Sequence, residues 1–138
     1  MNNKTKPMAM SDLRVLIVED QMEARLLLKN MLSSFGIHQV FEAKDGRKAF
    51  DFIDEAIDMI DLIICDWNMP EMSGVELLRQ FRSVNFETPF LMITGRSDKE
   101  SVMEAKLSGV SGYIAKPFSP DQLEAKIRSI LFRMAQTA

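Results

Sequence analysis

Five short apolar runs, separated by stretches with helical periodicity, constrain this chain more than any other feature. They are Leu13 to Val18, His38 to Phe41, Asp61 to Cys65, Phe90 to Ile93 and Gly112 to Ile114. The first, third and fourth are almost unbroken in apolar character, which suits strands of a parallel sheet covered on both faces. The segments between them carry helix signals. Ala24, Leu27, Leu28, Met31, Leu32 and Phe35 fall on one face ahead of Gly36, a residue suited to the C-cap. A turn at Asp45 and Gly46 leads into a helix through Phe50, Ile53 and Ile57, and Leu123, Ile127, Ile130 and Leu131 form the stripe of the last helix. Ser73 to Glu76, Ser97 to Glu100 and Ser119 to Gln122 each read as a capping box, the third with Pro120 at the first helical position. The helix around Val102 to Leu107 is the least amphipathic. Strands alternating with helices predict an open, doubly wound α/β fold with a five-stranded parallel sheet and helices on both faces.

The size fits one domain: 138 residues, 46% hydrophobic and 27% charged, are ordinary globular values. Residues 1–11 are expected to form a flexible arm, 12–134 the domain and 135–138 a short tail. The net charge of -3 and the interspersed signs leave no basic face for direct nucleic-acid binding. The single Cys65 excludes an internal disulfide, and no apolar run approaches the roughly 18 residues of a membrane span. A reducing, cytoplasmic setting without membrane insertion is expected. His38 is the only histidine, so a site built on several histidines of one chain is excluded. Cys65 is expected to be a buried inert thiol, Trp67 a partly exposed packing residue, and most of the eleven methionines core-facing filler.

In such sheets ligands bind beyond the carboxyl ends of the strands, where the chain order reverses. The first run ends in Glu19 and Asp20, the third in Asp66, the fourth in Thr94, and the fifth is followed by Lys116. Singly, each has an ordinary explanation: Asp20 with Glu23 makes a capping pattern, Thr94 a capping hydroxyl, Lys116 a solvated cation. Together they bring three carboxylates, a hydroxyl and an ammonium to one rim. Gathered carboxylates repel one another, and a hard dication such as magnesium relieves that repulsion with an open, oxygen-rich site. This set suits phosphoryl transfer, with the Asp66 carboxylate attacking a donor in line and the cations taking up charge on the equatorial oxygens.

The stretches VLIVED (15–20), CDWNMP (65–70), GVELL (74–78), MIT (92–94) and GYIAKPF (112–118) resemble the receiver domains of two-component response regulators, above all the single-domain chemotaxis kind. The resemblance runs from Leu13 to Leu131. It implies a flavodoxin-like sheet in the order 2-1-3-4-5. It also implies that Asp66 is the phosphoacceptor, that magnesium is held by Glu19, Asp20, Asp66 and the backbone carbonyl of Asn68, and that Lys116 pairs with the phosphoryl group. Thr94 would then move to hydrogen-bond the phosphoryl group, Tyr113 would turn inward as the aromatic switch, and Lys116–Pro117 would be a cis peptide. The implied partners are a histidine kinase or phosphotransfer protein as donor and a downstream target protein, with the chain a monomer or a weak phosphorylation-dependent dimer. The chain departs from the pattern after Thr94, where Gly95 and Arg96 stand, and Arg96 brings a cation toward the site. Two other readings use the same residues. One is an aspartyl-phosphate phosphohydrolase, disfavoured because Asn68 occupies the place of the usual second carboxylate. The other is a degenerate scaffold, disfavoured by the complete residue set.

Overall fold

The computed structural model describes residues 8–96 and 98–137. Five parallel strands form one sheet: β1 (Arg14–Val18), β2 (Gln39–Ala43), β3 (Leu62–Asp66), β4 (Phe90–Thr94) and β5 (Gly112–Ala115), in the order 2-1-3-4-5. Between and after them run α1 (Met22–Ser34), α2 (Gly46–Ala56), α3 (Gly74–Arg82), α4 (Lys99–Leu107) and α5 (Pro120–Thr137). All five residues of β3 and of β4 are buried, as are four of the five in β1, whereas the edge strands β2 and β5 each bury only one. Side chains alternate between two core layers with the period of two that a strand imposes. Val15, Ile17, Leu62, Ile64, Leu91 and Ile93 pack with Leu28, Leu32, Leu123 and Ile127 under α1 and α5. Leu16, Val18, Ile63, Cys65, Phe90 and Met92 pack with Ile53, Leu78, Phe81 and Ala105 under α2, α3 and α4. Both faces of the central strands are thus apolar, which is why their sequences read as unbroken runs.

The helix ends follow their local chemistry. Ser73 and Glu76 form a reciprocal capping box at α3, and Ser119 and Gln122 exchange the same pair of bonds at α5, at 2.8 and 3.1 Å. Past α1, Gly36 takes φ +90° while Ile37 N–H donates to Leu32 O and Gly36 N–H to Ser33 O. This is the Schellman arrangement that glycine makes accessible.

Several sequence expectations shift. Met10 is buried in the core within a short 3-10 turn (Met10–Asp12), so the ordered part of the domain begins before residue 12. α5 continues to Thr137, through the stretch expected to be a tail. The expected cap at Ser97 lies outside the described residues. α4 is capped by Asp98, whose side chain accepts from Ser101 N–H at 3.0 Å. Residues 1–7 of the expected arm are likewise outside the described residues. The methionines divide: Met10 and Met92 are buried, while Met8, Met22, Met59 and Met103 are exposed.

Candidate functional site

The order 2-1-3-4-5 reverses direction between β1 and β3, and the carboxyl ends of those two strands carry Glu19, Asp20 and Asp66. One carboxylate oxygen from each lies within 4.8 Å of the others. Asp20 does not cap α1: the N-cap is Gln21, with no side-chain bond, so the capping explanation for Asp20 fails and its carboxylate stays at the rim. The acidic pair is fixed locally. Glu19 Oε2 accepts from Gln21 N–H at 3.0 Å, and the Arg25 guanidinium donates to the Glu19 carbonyl at 2.9 Å. Arg25 had no signal in the sequence, because its role depends on the first turn of α1 folding back over the β1 end.

Lys116 reaches in from the β5–α5 connection, just after β5, with its ammonium 2.9 Å from Asp66 Oδ1 and 3.9 Å from Glu19 Oε1. The Lys116–Pro117 bond is cis. Asp66 Oδ1 is buried, with the Lys116 ammonium as its close charge partner. Burial is the largest influence on both acids. It raises Asp66 against the opposing pull of Lys116, and it lifts Glu19 to about 7, with the Asp66 charge adding to the rise. Such a set costs free energy as three anions and is relieved by a dication. Three carboxylates suit a hard ion that prefers oxygen.

Thr94, at the end of β4, is fully buried and its Oγ1 accepts from Arg96 N–H at 2.8 Å, which leaves the hydroxyl proton free to donate elsewhere. Tyr113 on β5 is half-buried with its hydroxyl already inside, where burial pushes the phenol up and the neighbouring Thr94 hydroxyl opposes the rise. The Asn68 side chain is exposed and accepts from Arg96 Nη2 at 3.4 Å. Trp67 is 3% exposed, against the expectation of partial exposure, and the Arg96 guanidinium lies 5.3 Å over its ring. Cys65 is fully buried and its thiol is pushed up by burial, as an inert thiol requires. Gly74 has a structural role that the sequence did not reveal. A Cβ there would stand 2.4 Å from the Asp66 carbonyl, so only glycine lets α3 begin this close to the β3 end.

The sequence matches the response regulator receiver domain over residues 15–128. The chain belongs to this family. The receiver is 39% identical to the chemotaxis protein CheY1 of Helicobacter pylori strain J99 over 121 residues, which cover 86% of this chain and 97% of that protein. It is 36% identical to the chemotaxis protein CheY of Pseudomonas aeruginosa, covering 88% and 98% of the two chains. Among solved structures, that of Vibrio cholerae CheY4 superposes with a TM-score of 0.78 at 35% identity, covering 86% of this chain and 98% of the other. As a receiver domain the protein is a phosphorylation-activated signalling switch, not an enzyme of the ordinary turnover kind. Its acidic pocket can hold a metal ion. No helix among the described residues is long and apolar enough to cross a membrane.

Proposed function

We propose that this receiver is a cytoplasmic chemotaxis-type switch that takes a phosphoryl group onto Asp66 from a histidine kinase or phosphotransfer protein and passes the change to a target protein. The observation that carries the reading is the meeting of the Asp66, Glu19 and Asp20 carboxylates within 4.8 Å, with the Lys116 ammonium 2.9 Å from Asp66. Glu19, Asp20, Asp66 and the backbone carbonyl of Asn68 would hold magnesium, which when bound neutralises charge on the phosphoryl oxygens. An Asp66 carboxylate oxygen attacks phosphorus in line, the bond from phosphorus to the donor atom breaks, and an acyl phosphate forms. Lys116 exchanges its contact with Asp66 for one with a phosphoryl oxygen, and the Thr94 hydroxyl donates its free proton to another. Moving Thr94 changes the space beside Tyr113, so the dianion biases the position of the Tyr113 ring and the face that a target reads. The names of the chemotaxis relatives support the pathway, and Asn68, two residues after Asp66, speaks against a second carboxylate acting as a hydrolytic acid or base.

The test is intact-mass spectrometry after incubation with acetyl phosphate. One phosphoryl adduct per chain is expected with magnesium, little without it, and none in Asp66→Asn. An adduct that survives in Asp66→Asn would refute the assignment, and phosphate release far in excess of protein would favour the phosphohydrolase reading.

A further inference from the structure

The sharpest backbone departure among the described residues lies in the loop that carries Asn68. Glu71 has φ +68°, the one positive value at a residue other than glycine, and Met72 N–H donates to the Pro70 carbonyl two positions back at 2.7 Å. Such a bond closed around a positive φ makes a γ-turn of the rare, strained kind. A residue with a Cβ seldom takes that φ, and asparagine tolerates it better than most. The Glu71 side chain is exposed and takes no part in the ion pairs or hydrogen bonds of the described residues, so no contact of its own offsets the strain.

The surroundings enforce the turn. At one end Trp67 N–H donates to the Ile93 carbonyl at 2.9 Å, and the Trp67 carbonyl accepts from Gly74 N–H at 2.8 Å. At the other end Ser73 is locked in the capping box of α3. Met72 sits so close to the start of α2 that a Cβ on Gly46 would stand 2.9 Å from its sulfur. Asn68, Met69, Pro70 and Glu71 must bridge these fixed points. The proline ring holds its own φ at about −65° and disposes the residue before it toward an extended backbone. Torsional freedom is therefore concentrated at Asn68 and Glu71, and a change at one has to be compensated at the other. Strain of this kind persists where the neighbourhood over-determines it, and it collects at ligand clamps.

We propose, building on the magnesium reading above, that Glu71 is a positioning residue: its positive-φ turn fixes the orientation of the Asn68 carbonyl, the one backbone ligand assigned to the divalent cation. The backbone at Glu71 carries this role and the side chain does not. Any residue that accepts a positive φ serves there, whatever its charge.

Calorimetric titration of the metal-free chain with magnesium reads the affinity directly. Glu71→Gln, Glu71→Asn and Glu71→Gly should bind within about twofold of the wild type, since all three can keep the turn. Glu71→Val, whose branched Cβ opposes a positive φ, should bind about tenfold more weakly or worse, the loss seen when a group that orients a metal ligand is changed. Raising magnesium should restore the rate at which Glu71→Val forms the acetyl phosphate adduct, because Asp66 and Lys116 keep their places. Without metal, Glu71→Asn should melt a few degrees above the wild type as the strain is relieved, a readout independent of whether the valine variant folds. Glu71→Val binding magnesium as the wild type does, Glu71→Gln losing as much affinity as Glu71→Val, or Glu71→Asn melting below the wild type would each overturn the proposal while leaving the metal site standing. A wild-type chain that takes up no magnesium would overturn the metal assignment and the proposal with it.

Discussion

Asp66 depends on a small number of neighbours, and each contributes a separable effect. Glu19 gives a pH signature. Its folded-state value of about 7 lies above its ordinary 4.5, so the folded chain binds more protons than the unfolded chain between those values. In the metal-free protein the stability linked to Glu19 is therefore complete below about 4.5 and falls as pH rises to about 7, by on the order of 1 to 3 kcal/mol. Urea titrations at several pH values should show this decline, and Glu19→Gln should flatten it. Arg96, stacked over Trp67 and facing Asn68, covers the mouth of the site. Arg96→Ala should shorten the lifetime of the phosphorylated form a few-fold by removing a cation from near the dianion. An unchanged rate of phosphate loss would show that Arg96 is only a solvated side chain. The meeting of Glu19, Asp20, Asp66 and Lys116 at one rim was legible because each ends or follows an apolar run. The burial of Trp67 and the reach of Arg25 and Arg96 were not, because they depend on which loops meet in space.

Among the elements, β3 and α3 matter most, since the chain must turn from the Asp66 carboxylate into a helix within a few residues. Gly74 N–H donates to the Trp67 carbonyl at 2.8 Å and the Asp66 carbonyl lies close above, so the turn has no room for a side chain. Gly74→Ala should lower stability by about 1 to 3 kcal/mol through overpacking and should slow phosphorylation by displacing the Asp66 to Asn68 segment. Thermal unfolding and the rate of adduct formation check the two effects separately, and a variant with both unchanged would show that the helix start shifts freely. Strand positions and helix starts were readable to within about two residues because unbroken apolar runs and capping boxes mark them locally, whereas α5 runs past its apolar stripe to Thr137. α4 was the hardest to define for a physical reason: only Ser101 and Ala105 of its nine residues are buried, and Met103 and Leu107 face solvent. Met10 was missed because the short stretch from Met8 to Met10 carries neither a helical nor a strand period.

Across the whole molecule, the apolar layers hold the sheet rigid while the rim concentrates charge that the fold alone does not satisfy. Strand alternation with helices could be read from the residues, but the order 2-1-3-4-5 could not: it came from the family resemblance, because pairing between distant strands leaves no local mark. The unsatisfied rim predicts that a divalent cation stabilises the entire domain. Magnesium at ten times its dissociation constant should raise unfolding free energy by about 1.4 kcal/mol, and Asp20→Ala should lose most of that increment. A denaturation midpoint indifferent to magnesium would contradict the metal assignment.

The central claim is that Asp66, its two acidic neighbours, Thr94 and Lys116 act as one site coupled to Tyr113. The most direct measurement is a nuclear magnetic resonance titration of the labelled chain with magnesium and beryllofluoride, an analogue of the phosphoryl group. Saturable shifts at Asp66, Thr94, Tyr113 and Lys116 are predicted, requiring magnesium and vanishing in Asp66→Asn. Shifts that persist in Asp66→Asn, or a wild-type spectrum that does not respond to the two reagents together, would contradict it.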